Sequence, residues 1–73
     1  MPKQQPLPEY QTDQIVELIR QHIHNQFDRK MLYYRLVNGM TFEQIGFKIG
    51  MTTKTVRLRI HKGEEILFRH LPG

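Results

Sequence analysis

Apolar residues recur at spacings of three and four along most of the chain, and this is the period of an amphipathic helix. The first such segment predicts a helix from about Asp13 to His24, with Asn25 as its stop. Asp28 is then predicted to cap a second helix, which ends at the Asn38-Gly39 pair. The inward residues of these two helices are predicted to be Ile15, Leu18, Ile19, His22, Ile23, Met31, Leu32, Leu36 and Val37.

The best-specified helix start lies at Thr41. Thr41 and Gln44 have the spacing of a capping box, in which the hydroxyl accepts an amide of the first turn and the glutamine reaches back to the cap residue. Met40 and Ile45 have the spacing of the hydrophobic staple that flanks such a box. Gly50 is predicted to end this short helix in the left-handed conformation.

The last predicted helix begins after its cap residue Thr52. Nothing alternates with period two over a useful length, so residues 11–73 are predicted to form an all-α domain of four helices without a sheet. Residues 1–10 contain three prolines and two glutamines, which oppose helix propagation and offer little to bury, so they are predicted to form a flexible N-terminal arm. The predicted core of the second half is Ile45, Ile49, Met51, Val56, Ile60, Gly63 and Leu67.

Composition narrows the class of protein. A chain of 73 residues forms one small domain and leaves little room for a large catalytic cleft. Eleven Lys and Arg against seven Asp and Glu give a net charge of +4, which favours a polyanionic or acidic partner. The absence of cysteine excludes disulfides and thiolate metal sites, and no apolar run is long enough to span a membrane. We therefore expect a soluble, cytoplasmic protein with no membrane partner.

Catalytic and metal chemistry find little support in the sequence. His22 and His24 lie two residues apart on a helix and so point to different faces, which opposes a shared metal site. Glu64 and Glu65 are adjacent and cannot converge as an acid and base pair, and the chain has no serine nucleophile. We expect no enzyme activity, no metal and no cofactor.

A short helix, a turn around glycine and a longer basic helix are typical of the helix-turn-helix, whose second helix can enter the major groove. The segment from Lys48 to Lys62 holds five cations and no carboxylate, as phosphate neutralisation requires. The alternative interpretation is a solvated polar face on an ordinary helical bundle. The candidate nucleic-acid-binding residues are Thr53, Lys54, Arg57, Arg59, His61 and Lys62.

The segment "RLVNGMTFEQIGFKIGMTTKTVRLRIHKGEEIL" resembles, without a gap, the C-terminal helix-turn-helix of bacterial sigma factors, known as region four. The likeness lies in the "GMTFEQI" entry, the turn glycine Gly50 and the "TVRLRIHKGEEIL" recognition helix. In that family the recognition helix reads a promoter element, and the domain docks on the flap of the RNA polymerase beta subunit. The resemblance implies two partners: promoter DNA, and bacterial RNA polymerase at the beta flap or a nearby large-subunit surface.

Several positions depart from the family pattern. Phe47 stands where the family has a polar residue on the outside of the first motif helix, and Lys48 replaces an apolar residue beside it. Leu58 replaces a small polar residue that would meet base edges, where leucine offers only apolar contact. Gly63 replaces alanine, which costs a helix about 1 kcal/mol. Phe47 and Leu58 are therefore candidate partner-binding residues, unless Phe47 folds under the N-terminal arm.

A complete sigma factor also needs parts that melt DNA and grip the polymerase clamp, and 73 residues cannot hold them. Small phage-encoded proteins that seize the host polymerase compete with sigma in this way. The leading hypothesis is a monomeric, phage-encoded regulator in the host bacterial cytoplasm that inhibits initiation by competing with or displacing sigma; antitermination is left open. The alternative is a sequence-specific repressor or activator that reads DNA through Lys54, Arg57 and His61.

Overall fold

The computed structural model describes residues 12–71, which form four α-helices and no strand. The helices are α1 (Thr12–His22), α2 (Gln26–Leu36), α3 (Phe42–Ile49) and α4 (Thr53–Arg69). The predicted all-α class is confirmed, whereas the predicted arm at residues 1–10 lies outside the described residues. No helix in the described part of the chain is long and apolar enough to cross a membrane.

The junction between the first two helices differs from the prediction. α1 ends at His22 rather than His24, and the cap of α2 is Asn25 rather than Asp28. The side-chain oxygen of Asn25 accepts two amides of the first turn of α2, at 2.9 and 3.1 Å. Asparagine caps a helix as well as aspartate does, so capping preference alone does not favour Asp28 over Asn25. Asp28 thereby becomes a helical residue that faces α4.

The predicted start and stop signals of the second half are confirmed. Thr41 Oγ1 accepts the amide of Gln44 at 3.1 Å, and Gln44 Oε1 accepts the amide of Thr41 at 2.9 Å. Gly50 ends α3 with φ +87°, a conformation that favours glycine. Thr52 then caps α4 by accepting the amide of Thr55 at 3.2 Å. These local bonds fix the turn between α3 and α4.

The turn packs directly on Gly46, which the sequence analysis did not single out. The Gly46 carbonyl accepts the amides of Gly50 and Met51, at 2.7 and 2.9 Å. A Cβ at Gly46 would lie 2.6 Å from the carbonyl oxygen of Met51, which is backbone and cannot rotate away. Glycine is therefore needed where the turn folds back onto α3.

All four helices contribute to one core. Ile45 of α3 and Val56 and Ile60 of α4 have no exposed surface, so the two motif helices share this core. Ile49 and Met51 are partly buried and pack against it, as predicted. The buried side chains are Ile15, Ile19, Ile23, Met31, Leu32, Leu36, Ile45, Val56, Ile60 and Leu67.

Gly63 marks a close approach of α2 and α4. A Cβ at this position would lie 2.6 Å from Leu32 Cδ1 and 3.2 Å from both Leu32 Cγ and Cδ2. Leu32 is fully buried, so its side chain has little space to move. Glycine at position 63 lowers the helix propensity of α4, but it allows α2 and α4 to pack closely.

Gly63→Ala is expected to lower the free energy of unfolding by about 1 kcal/mol, because overpacking against Leu32 costs more than the gain in helix propensity. In a Leu32→Ala background the same change should instead stabilise the protein by about 1 kcal/mol, since the clash is gone. Urea titration of the four proteins of this cycle measures both values. If Gly63→Ala changed the free energy of unfolding equally in the two backgrounds, the close contact between Gly63 and Leu32 would be contradicted.

Candidate interface of the helix-turn-helix

Four of the six predicted nucleic-acid-binding residues share the exposed side of α4. Lys54, Arg57, His61 and Lys62 are all exposed, and together we call them the basic face. They lie opposite the buried stripe of the same helix. Within residues 12–71, Lys54, Arg57 and Lys62 form no ion pair, whereas His61 lies beside the carboxylate of Glu64. Its positive charge is therefore available to an anionic partner.

Arg59 and Thr53 differ from the other four candidates. Arg59 Nε lies 2.9 Å from Asp28 Oδ1 of α2, and this oxygen is buried without an accepted hydrogen bond. The contact between Arg59 and Asp28 is therefore an ion pair rather than a hydrogen bond. Thr53 is half-buried at the first residue of α4. A nucleic-acid role for Arg59 stays a prediction, but Asp28 already balances its charge.

Basic side chains of α2 and α4 contact the ring of Phe42, at the start of α3. Arg35 lies with its guanidinium carbon 4.2 Å from the ring centroid, and that of Arg57 lies 5.7 Å away. His61 meets the ring edge-on, with 5.9 Å between centroids, and its Nδ1 lies 3.4 Å from Glu64 Oε1. Sequence reasoning missed this cluster because only the packing of three helices brings its members together.

The two predicted partner-binding residues are the most exposed large apolar side chains among the described residues. Phe47 is 93% exposed on the outside of α3, and Leu58 is 62% exposed on the outside of α4. Nothing in residues 12–71 covers Phe47, and the arm that was its alternative cover lies outside them. Burying such side chains against a partner is favourable by about 1.5–3 kcal/mol each.

An open groove with a volume of about 400 Å³ lies between α1 and α2. Its floor includes Val16, Ile19 and the rings of Tyr33 and Tyr34, and Arg29 and Lys30 lie at its edge. Tyr33 is exposed while Tyr34 is half-buried. The groove combines apolar surface with positive charge.

Arg20, also at this groove, is already neutralised on the surface of α1. It donates to both carboxylate oxygens of Glu17, at 2.9 and 3.0 Å. This hydrogen bond, followed by that from Gln21, lowers the pKa of Glu17 below its usual value. The positive charge at the groove edge therefore comes from Arg29 and Lys30.

Two histidines from opposite ends of the described chain contact each other. His22 of α1 and His70, which follows α4, stack in parallel with ring centroids 3.7 Å apart. In the described residues, no group of three or more histidine, aspartate or glutamate side chains could hold a metal ion. The stack joins the ends of α1 and α4.

Comparison of the chain with protein families, with curated proteins and with solved structures finds no match. The function is therefore inferred from the geometry of the helix-turn-helix surface and from the motifs of the sequence.

Proposed function

We propose that this protein is a transcription regulator that binds bacterial RNA polymerase and inhibits initiation by competing with sigma. The observation that carries the proposal is the exposure of Phe47 and Leu58 on the outer surface of the motif. Exposure of these apolar side chains to water is unfavourable, and apolar anchors supply much of the binding energy of protein interfaces. The likeness of the sequence to sigma region four supplies the choice of partner.

The groove between α1 and α2 supports a protein partner from a second side. Its floor is apolar and includes the exposed ring of Tyr33. Concave apolar surfaces of this kind are typical of protein and ligand interfaces, and exposed tyrosine is enriched in them. The groove and the basic face of α4 share no residue.

Transcription assays with two polymerases test the proposal. The protein is titrated against a bacterial holoenzyme on a sigma-dependent promoter, and against a single-subunit phage polymerase that uses no sigma. We expect inhibition of the bacterial enzyme alone, and relief of this inhibition by added sigma. Equal inhibition of both enzymes would indicate occlusion of the DNA template and would sink the competition mechanism.

DNA binding by the basic face is the second candidate function. The observation that favours it is the positive surface of Lys54, Arg57 and Lys62, all exposed on one helix of a helix-turn-helix. Such a helix is placed to enter the major groove, with its cations near phosphates. Leu58 lies amid these residues and can offer only apolar contact to a base.

The combined change of Lys54→Gln and Arg57→Gln is expected to reduce the slope of log affinity for duplex DNA against log salt by about 1.8, because each lost phosphate contact removes about 0.9. Fluorescence anisotropy over a range of salt concentrations measures the slope. Arg20→Gln with Lys30→Gln is the matched control, since it removes the same charge from α1 and α2. An unchanged slope in the first pair would exclude this use of α4.

A further inference from the structure

We infer that Arg35 and Arg57 form a phosphodiester-binding site that extends the basic face onto α2, with Phe42 as the positioning residue that holds both guanidinium groups. The site rests on the second candidate function, nucleic-acid binding by α4, and adds to it a contact from α2. Arg35 was not among the residues that the sequence pattern selected, because it lies at the end of α2, outside the basic run.

Arg35 is held from two directions. Its guanidinium lies over the ring of Phe42, 4.2 Å from the centroid, and its Nη1 donates to the carbonyl of Met40 at 2.9 Å. A guanidinium has five N–H donors, and stacking on a ring leaves the donors at its edge free. Fixing the side chain in advance reduces the entropy lost when it binds an anion. Arg35 is therefore prepared for in-plane contact with a phosphate.

Arg57 links this site to the basic face. Its guanidinium carbon lies 5.7 Å from the centroid of the same Phe42 ring, so two cations share one aromatic side chain. Neither arginine forms an ion pair within residues 12–71, and Glu43, the residue after Phe42, pairs with neither of them. Two cations that share one ring and have no carboxylate partner attract an anion to this part of the surface.

The presence of several cations favours a phosphodiester backbone over an isolated carboxylate. Arg35 of α2 and Arg57 of α4 meet at Phe42, and Lys54 lies one helical turn before Arg57 on α4. A nucleic acid carries one charge per residue along each strand, so it can meet these cations in succession. Arginine also matches the geometry of a phosphate through paired N–H bonds. The backbone of duplex DNA and that of single-stranded RNA share this chemistry.

Salt-dependent binding of the full chain to two probes tests the site: a duplex DNA of arbitrary sequence, and a single-stranded RNA of equal length. We expect Arg35→Gln to reduce the slope of log affinity against log salt by about 0.9 for the duplex, or about 0.7 for the single strand. Phe42→Leu keeps both charges, so it should leave the slope unchanged while lowering affinity by about three-fold. The probe that shows these changes identifies the natural source of the phosphates.

Lys30→Gln is the matched control, because it removes one positive charge from the same helix at a position outside the cluster. An equal loss of slope in Lys30→Gln, or an unchanged slope in Arg35→Gln, would overturn the inference even where the wild-type protein binds strongly. Phe42→Leu retains apolar packing and tests the site even if Arg35→Gln fails to fold: unchanged affinity would count against it. Wild-type protein that binds neither probe overturns both this site and the second candidate function.

Discussion

Ile60→Ala should lower the free energy of unfolding by about 2–5 kcal/mol, which is a large part of the total stability of a domain this small. Ile60 has no exposed surface and belongs to the core that joins α3 to α4. Alanine leaves a cavity there, and a close-packed interior fills it only in part. The gain in helix propensity from alanine offsets only a few tenths of a kcal/mol. Urea unfolding followed by circular dichroism measures the difference.

Leu58→Ala is the control for this experiment. It removes a similar side chain from the same helix, but Leu58 is 62% exposed and its loss leaves no cavity. We expect a change within about 0.5 kcal/mol, as for other surface substitutions. Similar destabilisation by the two substitutions would mean that the buried and exposed sides of α4 have been assigned incorrectly.

The second half of the fold could be predicted from local chemistry. The capping box at Thr41 and the left-handed Gly50 depend on neighbouring residues alone, so the sequence contains the whole signal. The start of α2 was harder to predict, because Asn25 and Asp28 are equally good caps. The choice between them involves tertiary structure, since Asp28 contacts Arg59 of α4.

In the candidate site, too, local features could be predicted and contacts between helices could not. The outward placement of Lys54, Arg57 and Leu58 follows from helical spacing around the buried stripe, and the structure has all three exposed. Helical spacing carries no information about pairs on different helices. The ion pair of Arg59 and the contact of Arg35 with the Phe42 ring each join residues of two helices, so the sequence pattern could not predict them. The need for glycine at position 63 has the same origin.

Changing Phe47 and Leu58 together to serine should weaken polymerase binding by about 30-fold, which corresponds to about 2 kcal/mol for the loss of central apolar anchors. Inhibition of sigma-dependent transcription should fall in parallel. Both side chains are exposed, at 93% and 62%, so the fold should remain and the melting temperature should change little. Loss of binding would thus reflect the surface rather than unfolding.

Phe27→Ser is the matched control for this pair, because it removes an aromatic side chain that is 52% exposed at the start of α2, a helix outside the motif. We expect this variant to bind polymerase as the wild-type protein does. Equal weakening by the control would show that general surface hydrophobicity, rather than the position of Phe47 and Leu58, determines binding.

The same double change separates the two candidate functions, because they predict opposite results for the inhibition of polymerase. If the protein acts as a DNA-reading regulator, serine at positions 47 and 58 restores the polar surface typical of the sigma family, and DNA affinity should be kept or improved. Inhibition of polymerase would then persist to the extent that DNA binding does. If the protein docks on polymerase through these side chains, the bacterial enzyme escapes inhibition while the salt-dependent binding of DNA by Lys54 and Arg57 is unchanged. Measuring both activities on one preparation of the double variant therefore distinguishes an apolar protein interface from a nucleic-acid surface on the same pair of helices.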